Sequence, residues 1–367
     1  MPLAEPMNTC RILVDSFADK GLTNAQMSNA REIIRRLDPE RFQVTTFHVS
    51  EPDETIAKRP NTSLIRLPQR RQTPRIFKQF LSGSQDIVFY VKASPAAKWY
   101  LKLRRRWNDK RVAIGTVESR SDLRDQPTIA SQAVRLWEQT ILRSDLLFSN
   151  SQAVRQNLEH EYGLRSEVVP TGVDTNFFSP AWDRAGNRRP RVLFVGALRN
   201  LKEPDTVLDS AGRFPHAEFV MVGEGPMEPE LRHRIKRERL ANVQLTGAMG
   251  SDDLKRQYQS ADIFLFPSAW EGSPKVILEA AATGLPVIAR KNYEPESVVD
   301  GVTGFLVGSN DDMFDRLATL LSSADLRRVQ GSAGRKHSLR FDWDLVTRQW
   351  EEIFLNLRTR KRTCCTQ

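Results

Sequence analysis

The sequence predicts an α/β protein of two domains, each built on a parallel sheet. Short apolar runs bounded by turn residues alternate with stretches of helical spacing along the chain, which is the pattern of strands joined by right-handed crossover helices. The length of 367 residues exceeds what one hydrophobic core usually serves and fits two domains of ordinary size. Near mid-chain the alternation stops over residues 170–190, where Pro170, Pro180, Gly186 and Pro190 mark the best boundary.

Taken in order, residues 11–15 (Arg-Ile-Leu-Val-Asp) read as the first strand, and a loop over 16–23 leads into a helix. That helix carries Met27, Ala30, Ile33, Ile34 and Leu37 at helical spacing and stops at Asp38-Pro39. Residues 42–49 are a strand and 51–62 a polar loop; 64–67 and 86–91 are strands separated by a short helix near 76–81. Ser94-Pro95 opens a helix to about Arg106, 112–117 is the next strand, and units around 145–148 and 167–169 complete the first domain. Beyond the boundary, strands are expected near 191–195, 218–222, 243–245, 262–266, 286–289 and 304–307, with helices between them. The expected division is 1–172, 173–340 and a closing segment 341–367.

The net charge is +10, of which residues 1–175 hold +7 (27 Lys+Arg, 20 Asp+Glu) and 176–367 hold +3 (28 and 25). Four of the latter bases lie in 358–362. The excess on the first half suggests an anionic partner there: nucleic acid, a membrane surface or an acidic acceptor. Nucleic acid would rest on charge alone, without a recognised module, and is excluded. Residues 92–111 contain eight bases and one acid, with Trp99, Leu103 and Trp107 on one helical stripe. Such a helix reads either as an interfacial membrane element or as a crossover helix whose tryptophans pack on the sheet, and the second is expected. Cys10, Cys364 and Cys365 are the only cysteines, so no disulfide framework or cysteine zinc site is indicated. The last four residues, Cys364-Cys-Thr-Gln367, fit the outline of a prenylation box, although Thr366 is a poor match. No apolar run approaches the roughly 20 residues needed to cross a bilayer, and Met-Pro-Leu-Ala-Glu-Pro lacks the features of a signal peptide. A cytoplasmic protein is expected, with contact at the inner membrane face as the variant that the basic half allows.

The chemistry concentrates in Glu271-Gly-Ser273-Pro274-Lys275-Val276-Ile-Leu-Glu279. The preceding run 261–267 reads as a buried strand, and Pro274 sits in the first turn of the following helix. The amides of Lys275 and Val276 are then unpaired at the positive end of a helix dipole, where a phosphate is favoured. Glu271 lies in the loop and Glu279 inside the apolar run Val-Ile-Leu-Glu-Ala-Ala-Ala. Either each carboxylate holds hydroxyls of a ligand, or Glu271 merely complements the dipole and Glu279 is solvated. The apolar neighbours of Glu279 argue for burial and hence for a partner.

With its neighbours, this stretch resembles the retaining glycosyltransferases of family 4, which have the GT-B fold. The Glu-x7-Glu pair, the linker Gly172-Val-Asp-Thr-Asn-Phe-Phe178, the strand end Val195-Gly196-Ala-Leu198 with Lys202 following, Val222-Gly-Glu-Gly225-Pro226 and Asn242-Val-Gln-Leu-Thr246-Gly247 occur in family order. The resemblance implies two Rossmann-like domains with parallel sheets facing a central cleft. The second would bind a nucleotide sugar carrying UDP or GDP, and the first a glycan or lipid-linked acceptor, with transfer in the cleft. It assigns Lys202 to the leaving phosphates, the alternative being a solvated lysine. Relatives often follow the glycine with an arginine; here Ala197 stands there, and Arg199 is either the second phosphate cation or a surface residue. Thr246 and Gly247 would contact the base, Glu279 the ribose and Glu271 the sugar; Gly196 and Ser273 would belong to the donor site, and Lys275 and Val276 would offer their amides to the phosphate. Gly21 resembles the loop that meets leaving group and acceptor. Glu118 occupies or adjoins the place of a family histidine; it either takes a proton from the acceptor or holds the sugar, or is a strand-end residue paired with Arg120 or Arg124. No metal is expected: Asp342-Trp-Asp344 lies in the closing segment, and the five histidines form no ligand spacing. The implied activity is metal-independent transfer of the hexosyltransferase type, with an inactive GT-B scaffold that binds a glycan or protein as the rival reading.

Overall fold

A computed structural model describes residues 9–21, 24–118, 127–181 and 189–364. The chain divides into two units, one comprising Met1–Pro170 with Trp343–Gln367 and the other Thr171–Asp342. The carboxyl-terminal Cys365-Thr-Gln and the possible partners Arg120 and Arg124 of Glu118 lie outside the described residues.

The first unit is a parallel sheet of seven strands: β1 (Cys10–Phe17), β2 (Phe42–His48), β3 (Thr62–Arg66), β4 (Ile87–Tyr90), β5 (Val112–Val117), β6 (Leu146–Ser149) and β7 (Glu167–Val168). Their order is β3-β2-β1-β4-β5-β6-β7. Because neighbouring residues of a strand point to opposite faces, Ile12 and Val14 enter one core and Leu13 another. Both faces are thus covered, as an all-parallel sheet requires. The helix Trp343–Cys364 contributes to the first of these cores, with Trp350 against Phe89 and Phe148 and Phe354 against Phe42.

Two local expectations fail here. The polar loop at 51–62 contains a helical turn, Glu54–Ala57, capped by Asp53, whose carboxylate accepts from the amides of Thr55 (2.9 Å) and Ile56 (3.4 Å). Four residues are too few for a period to show. The tryptophan stripe does not pack on the sheet. The helix is Pro95–Leu103, its buried residues are Ala96, Ala97, Tyr100 and Leu101, and a 3-10 turn follows at Arg104–Trp107. Trp99 and Trp107 are 49% and 50% exposed. The alanines let the helix sit close to the sheet on the opposite stripe, and the change of helix type breaks the spacing that aligned Trp107 with Trp99.

The second unit is a parallel sheet of six strands: β8 (Arg191–Val195), β9 (Glu218–Val222), β10 (Val243–Gly247), β11 (Ile263–Phe266), β12 (Val287–Arg290) and β13 (Gly304–Val307). The order is β10-β9-β8-β11-β12-β13, reversing direction between β8 and β11. The segments through Val173 and Asp342, at the two ends of this unit, run side by side. Val173 N–H donates to the Phe341 carbonyl at 2.8 Å, and Asp342 accepts from the amide and hydroxyl of Thr175. Asp342 is therefore used in tying the two ends together, while Asp344 pairs with Arg36 of the first unit. Among the described residues no helix is long and apolar enough to cross a membrane.

At the start of β13, Gly304 has φ +154°, and a Cβ there would overlap the backbone of Val287 on β12. Gly250, with φ −69°, has open space around it. Gly304→Ala should therefore cost roughly 3 kcal/mol of stability, and Gly250→Ala less than about 1 kcal/mol. Urea unfolding of the two variants beside the wild type measures the difference.

Candidate active site

In an open parallel sheet, ligands bind beyond the carboxyl ends of the strands, where the strand order reverses. In the second unit that edge is made by the loops after β8, β9, β10 and β11. The first three are tied by backbone bonds: Gly196 N–H to Val222 O (3.0 Å), Leu198 N–H to Glu224 O (2.9 Å), and Gly223 N–H to Gly247 O (2.9 Å). A Cβ on Gly223 would overlap the Gly196 carbonyl, and one on Gly225 the Leu198 carbonyl. Glycine is required at both because two backbones meet there. The Thr246 hydroxyl is turned onto the carbonyls of Met221 and Gly247 at 3.2 and 3.1 Å. What Thr246 and Gly247 can offer a ligand is therefore backbone, and the space a Cβ of Gly247 would take is empty.

After β8 the chain makes a 3-10 turn, Asn200–Lys202, then places Glu203 in the left-handed region (φ +46°) before the helix Pro204–Arg213. Arg290, at the end of β12, holds this strained corner. Its guanidinium donates to Glu203 (2.6 Å), to the Pro267 carbonyl (3.3 Å) and to Asn310. The corner presents Lys202, whose ammonium pairs with Glu271 Oε1 and lies 5.4 Å from the centre of the Phe266 ring. Ser268 donates to the same Glu271 oxygen. Glu271 is 8% exposed, and its other oxygen accepts no hydrogen bond among the described residues. Arg199 is half-buried, and its Nε is buried without a partner. A cation withdrawn from water and left without an acceptor is costly unless a ligand supplies one.

The helix Lys275–Ala282 follows Pro274, which has φ −71° and ψ 111°, and no side chain caps its start. Ile277 N–H donates to the Pro274 carbonyl at 3.1 Å, and the helix start is the positive end of the dipole. Ile277, Leu278, Ala280, Ala281 and Ala282 are buried, and Glu279 is drawn partly inward with them. Its partner is Tyr258, whose hydroxyl donates to Oε2 at 2.9 Å. Tyr258 is fully buried and packs edge-on to Phe178 and tilted against Phe264. Burial raises the Glu279 carboxyl above its ordinary pKa, opposed by the Tyr258 hydrogen bond and the charge of Lys275. Burial and that same carboxylate push the Tyr258 hydroxyl well above its ordinary value.

Gly196, Arg199, Lys202, Thr246, Gly247, Glu271, Ser273, Lys275, Val276 and Glu279 thus lie in the second unit, on the loops after β8 and β11, at the end of β10 and in the helix that follows β11. Glu118 and Gly21 belong to the first unit. Glu118 follows β5 and accepts from Asn29 Nδ2 at 3.0 Å, on the helix Ala25–Arg36. Gly21 is exposed with φ +79° and open space around it. An open cavity of about 720 Å³ adjoins the corner, lined by Asn200, Glu203, Ala269, Arg290, Asn292 and Asn310 among others. None of Arg199, Lys202, Glu271 and Glu279 lines it. Sequence reasoning missed Tyr258, Ser268, Arg290 and Tyr293. Tyr293 is 1% exposed with an unpartnered hydroxyl, raised well above its ordinary pKa by burial and then by the Glu271 charge. Only Ser268, directly after the strand before Glu271, carried a positional signal.

The fold and this edge define an α/β protein of two parallel-sheet units with an anion-suited site at the carboxyl ends of its strands. Residues 181–337 match the family model of the glycosyl transferases group 1, and residues 28–177 match that of glycosyltransferase family 4. The D-inositol 3-phosphate glycosyltransferase of Corynebacterium urealyticum is 32% identical over 254 residues, 61% of this chain and 60% of that protein. Its counterpart in Corynebacterium jeikeium is 30% identical over 281 residues, 68% and 67% of the respective chains. The chain spans about 60% of the length of most of the curated relatives it matches. Anabaena HepE, solved with UDP and glucose, superimposes with a TM-score of 0.75 over 94% of this chain and 99% of its own at 17% identity, a likeness of fold. The chain belongs to the family 4 glycosyltransferases, with the GT-B fold.

Tyr258→Phe removes the donor that keeps a buried carboxylate charged, so the Glu279 pKa should rise further. The loss of stability should be about 1–2 kcal/mol at neutral pH. It should shrink as the pH falls through the raised pKa of Glu279, because a protonated carboxyl needs the donor less. Denaturation of wild type and variant across this range measures it; an equal loss at every pH would contradict the assignment.

Proposed function

We propose that the chain is a retaining glycosyltransferase that moves a sugar from a UDP- or GDP-sugar to a glycan or lipid-linked acceptor. The observation that carries this reading is a set of donors gathered on one edge of the second sheet. The uncapped start of the helix Lys275–Ala282, the unpartnered Nε of Arg199 and the Lys202 ammonium all lie on the loops there. Together they suit a diphosphate. As the bond from the sugar C1 to the diphosphate oxygen breaks, its electrons go to that oxygen, and these groups stabilise the growing negative charge. The new bond forms from the acceptor oxygen to C1, and the acceptor proton passes to a base, for which Glu118 is the proposed group.

In this reading Glu279 holds the ribose through its free oxygen, and Glu271 holds the sugar. Lys202, paired with Glu271 by a single oxygen, keeps donors for phosphate. The reading needs no divalent ion, since the helix start and two cations meet the phosphate charge. The family membership and the UDP and glucose bound by Anabaena HepE support it. The proposal puts the reaction in the cytoplasm.

The Arg199 side chain has no ion-pair or hydrogen-bond partner among the described residues, so Arg199→Ala should keep the melting temperature and weaken binding of UDP or GDP by roughly tenfold or more. Lys202→Ala should lower both affinity and stability, because it leaves Glu271 buried without its cation. Calorimetric titration with the two nucleotides tests the pair, and unchanged affinity in both variants would remove the donor site. In an assay with a panel of α-linked UDP- and GDP-sugars, we expect turnover to survive EDTA. The first product seen by proton NMR should be α-linked; a β-linked product would rule out retention.

A further inference from the structure

The first unit carries a cationic surface that the transfer chemistry does not use. Residues 55–108 hold 13 Lys+Arg and one acid, a net +12 that exceeds the +10 of the whole chain. The one acid, Asp86, accepts from the amide of Arg11 and lies beside its side chain. Two neighbouring helices and the residues that flank them display six of these bases. In Gln72–Leu81 the buried residues are Ile76 and Phe80, and the outward stripe is Arg71, Arg75, Lys78 and Leu81. In Pro95–Leu103 the stripe opposite the buried alanines is Lys98, Trp99 and Lys102, and the following turn adds Arg106 and Trp107. The two helices touch through Phe80 and Tyr100, whose ring centres are 5.2 Å apart, and both bury their inner stripes in one core on one face of the sheet. Their outward stripes therefore leave that face on the same side.

Elsewhere several exposed arginines pair with acids three or four residues away, as in Arg232–Glu228, Arg256–Asp253 and Arg328–Asp325. None of Arg71, Arg75, Lys78, Lys98, Lys102 and Arg106 has an ion-pair partner among the described residues. Unpaired like charges repel one another, and a solvated surface would relieve this by admitting acids. Within this field stand Trp99, Trp107 and Leu81, each about half exposed. Exposed tryptophans among cations match the boundary of a bilayer, where the ring sits among headgroups and the ammonium and guanidinium groups meet lipid phosphate. A soluble polyanion would use the charge and leave Leu81 and the indoles in water.

We propose that this two-helix face docks on an anionic lipid surface. The docking goes beyond the transfer reading and does not depend on it, because vesicle binding requires no turnover. Each cation near such a surface changes the affinity roughly fivefold, and the attraction fades over about a Debye length. The full chain should co-sediment with phosphatidylcholine vesicles containing phosphatidylglycerol at low salt, and be released at high salt. It should not sediment with phosphatidylcholine alone. Lys78→Glu with Lys102→Glu should weaken binding by more than roughly twentyfold, and Trp99→Ser with Trp107→Ser by roughly tenfold. Lys236→Glu with Lys336→Glu, a matched charge reversal on the second unit, should change nothing. Unaltered melting temperatures show that the variants fold. No sedimentation with anionic vesicles at low salt, or equal sedimentation with neutral ones, would overturn the proposal. So would full binding by the tryptophan variant with competition by soluble polyphosphate, which would identify a polyanion site.

Discussion

Two carboxylates eight residues apart are taken out of water at one edge of the second sheet, and most of the site is arranged to satisfy them. A buried carboxylate must be paired, hydrogen-bonded or protonated. Glu271 draws the Lys202 ammonium and the Ser268 hydroxyl onto one oxygen. Glu279 draws the Tyr258 hydroxyl, and Tyr258 is held by Phe178 and Phe264. That contact joins the carboxylate to the segment following Thr171 and to β11. The left-handed corner at Glu203, clamped by Arg290, exists in the same service, since it sets where Lys202 can reach.

Each of these carboxylates keeps one oxygen free of hydrogen bonds among the described residues, and the neighbouring donors are likewise only partly used. Arg199 is the clearest case, with a buried Nε that has no hydrogen-bond partner among the described residues. In the proposed reading this rim meets an anion, and its organisation before binding serves the stabilisation of a leaving group. The glycines at 223 and 225 serve the same end from below. They let the loops after β8 and β9 bond backbone to backbone, so the rim is stiff without side chains filling it.

The first unit has a different economy. Its sheet is covered on both faces, and the helix Trp343–Cys364, from the far end of the chain, completes one cover. On the other face, small residues at 96 and 97 bring a helix close to the sheet. The large residues of that helix are thereby turned outward among bases, and an uncompensated surface results from ordinary packing.

Local periodicity was enough to place both sheets, because a buried parallel strand is a short apolar run and its crossover helix a 3.6-residue pattern. The strands 112–117, 191–195, 218–222 and 304–307 follow from sequence to the residue. So does the need of Glu279 for a partner, since it interrupts an apolar run. The identity of that partner does not follow: Tyr258 lies on another helix, and nothing local to it marks a bond 21 residues away. Ser268 and Tyr293 around Glu271, Asn29 beside Glu118 and Arg290 behind Glu203 are likewise joined by the fold across separate elements. The tryptophans show the converse limit. Trp99, Leu103 and Trp107 share a stripe only if the helix continues, and a 3-10 turn and two alanines decide otherwise. Sequence by itself determined what is encoded in neighbouring residues, the periods and the turn chemistry. Tertiary structure alone decided which stripe faces inward and which distant side chains meet, because both depend on the volume and position of elements far away in the chain.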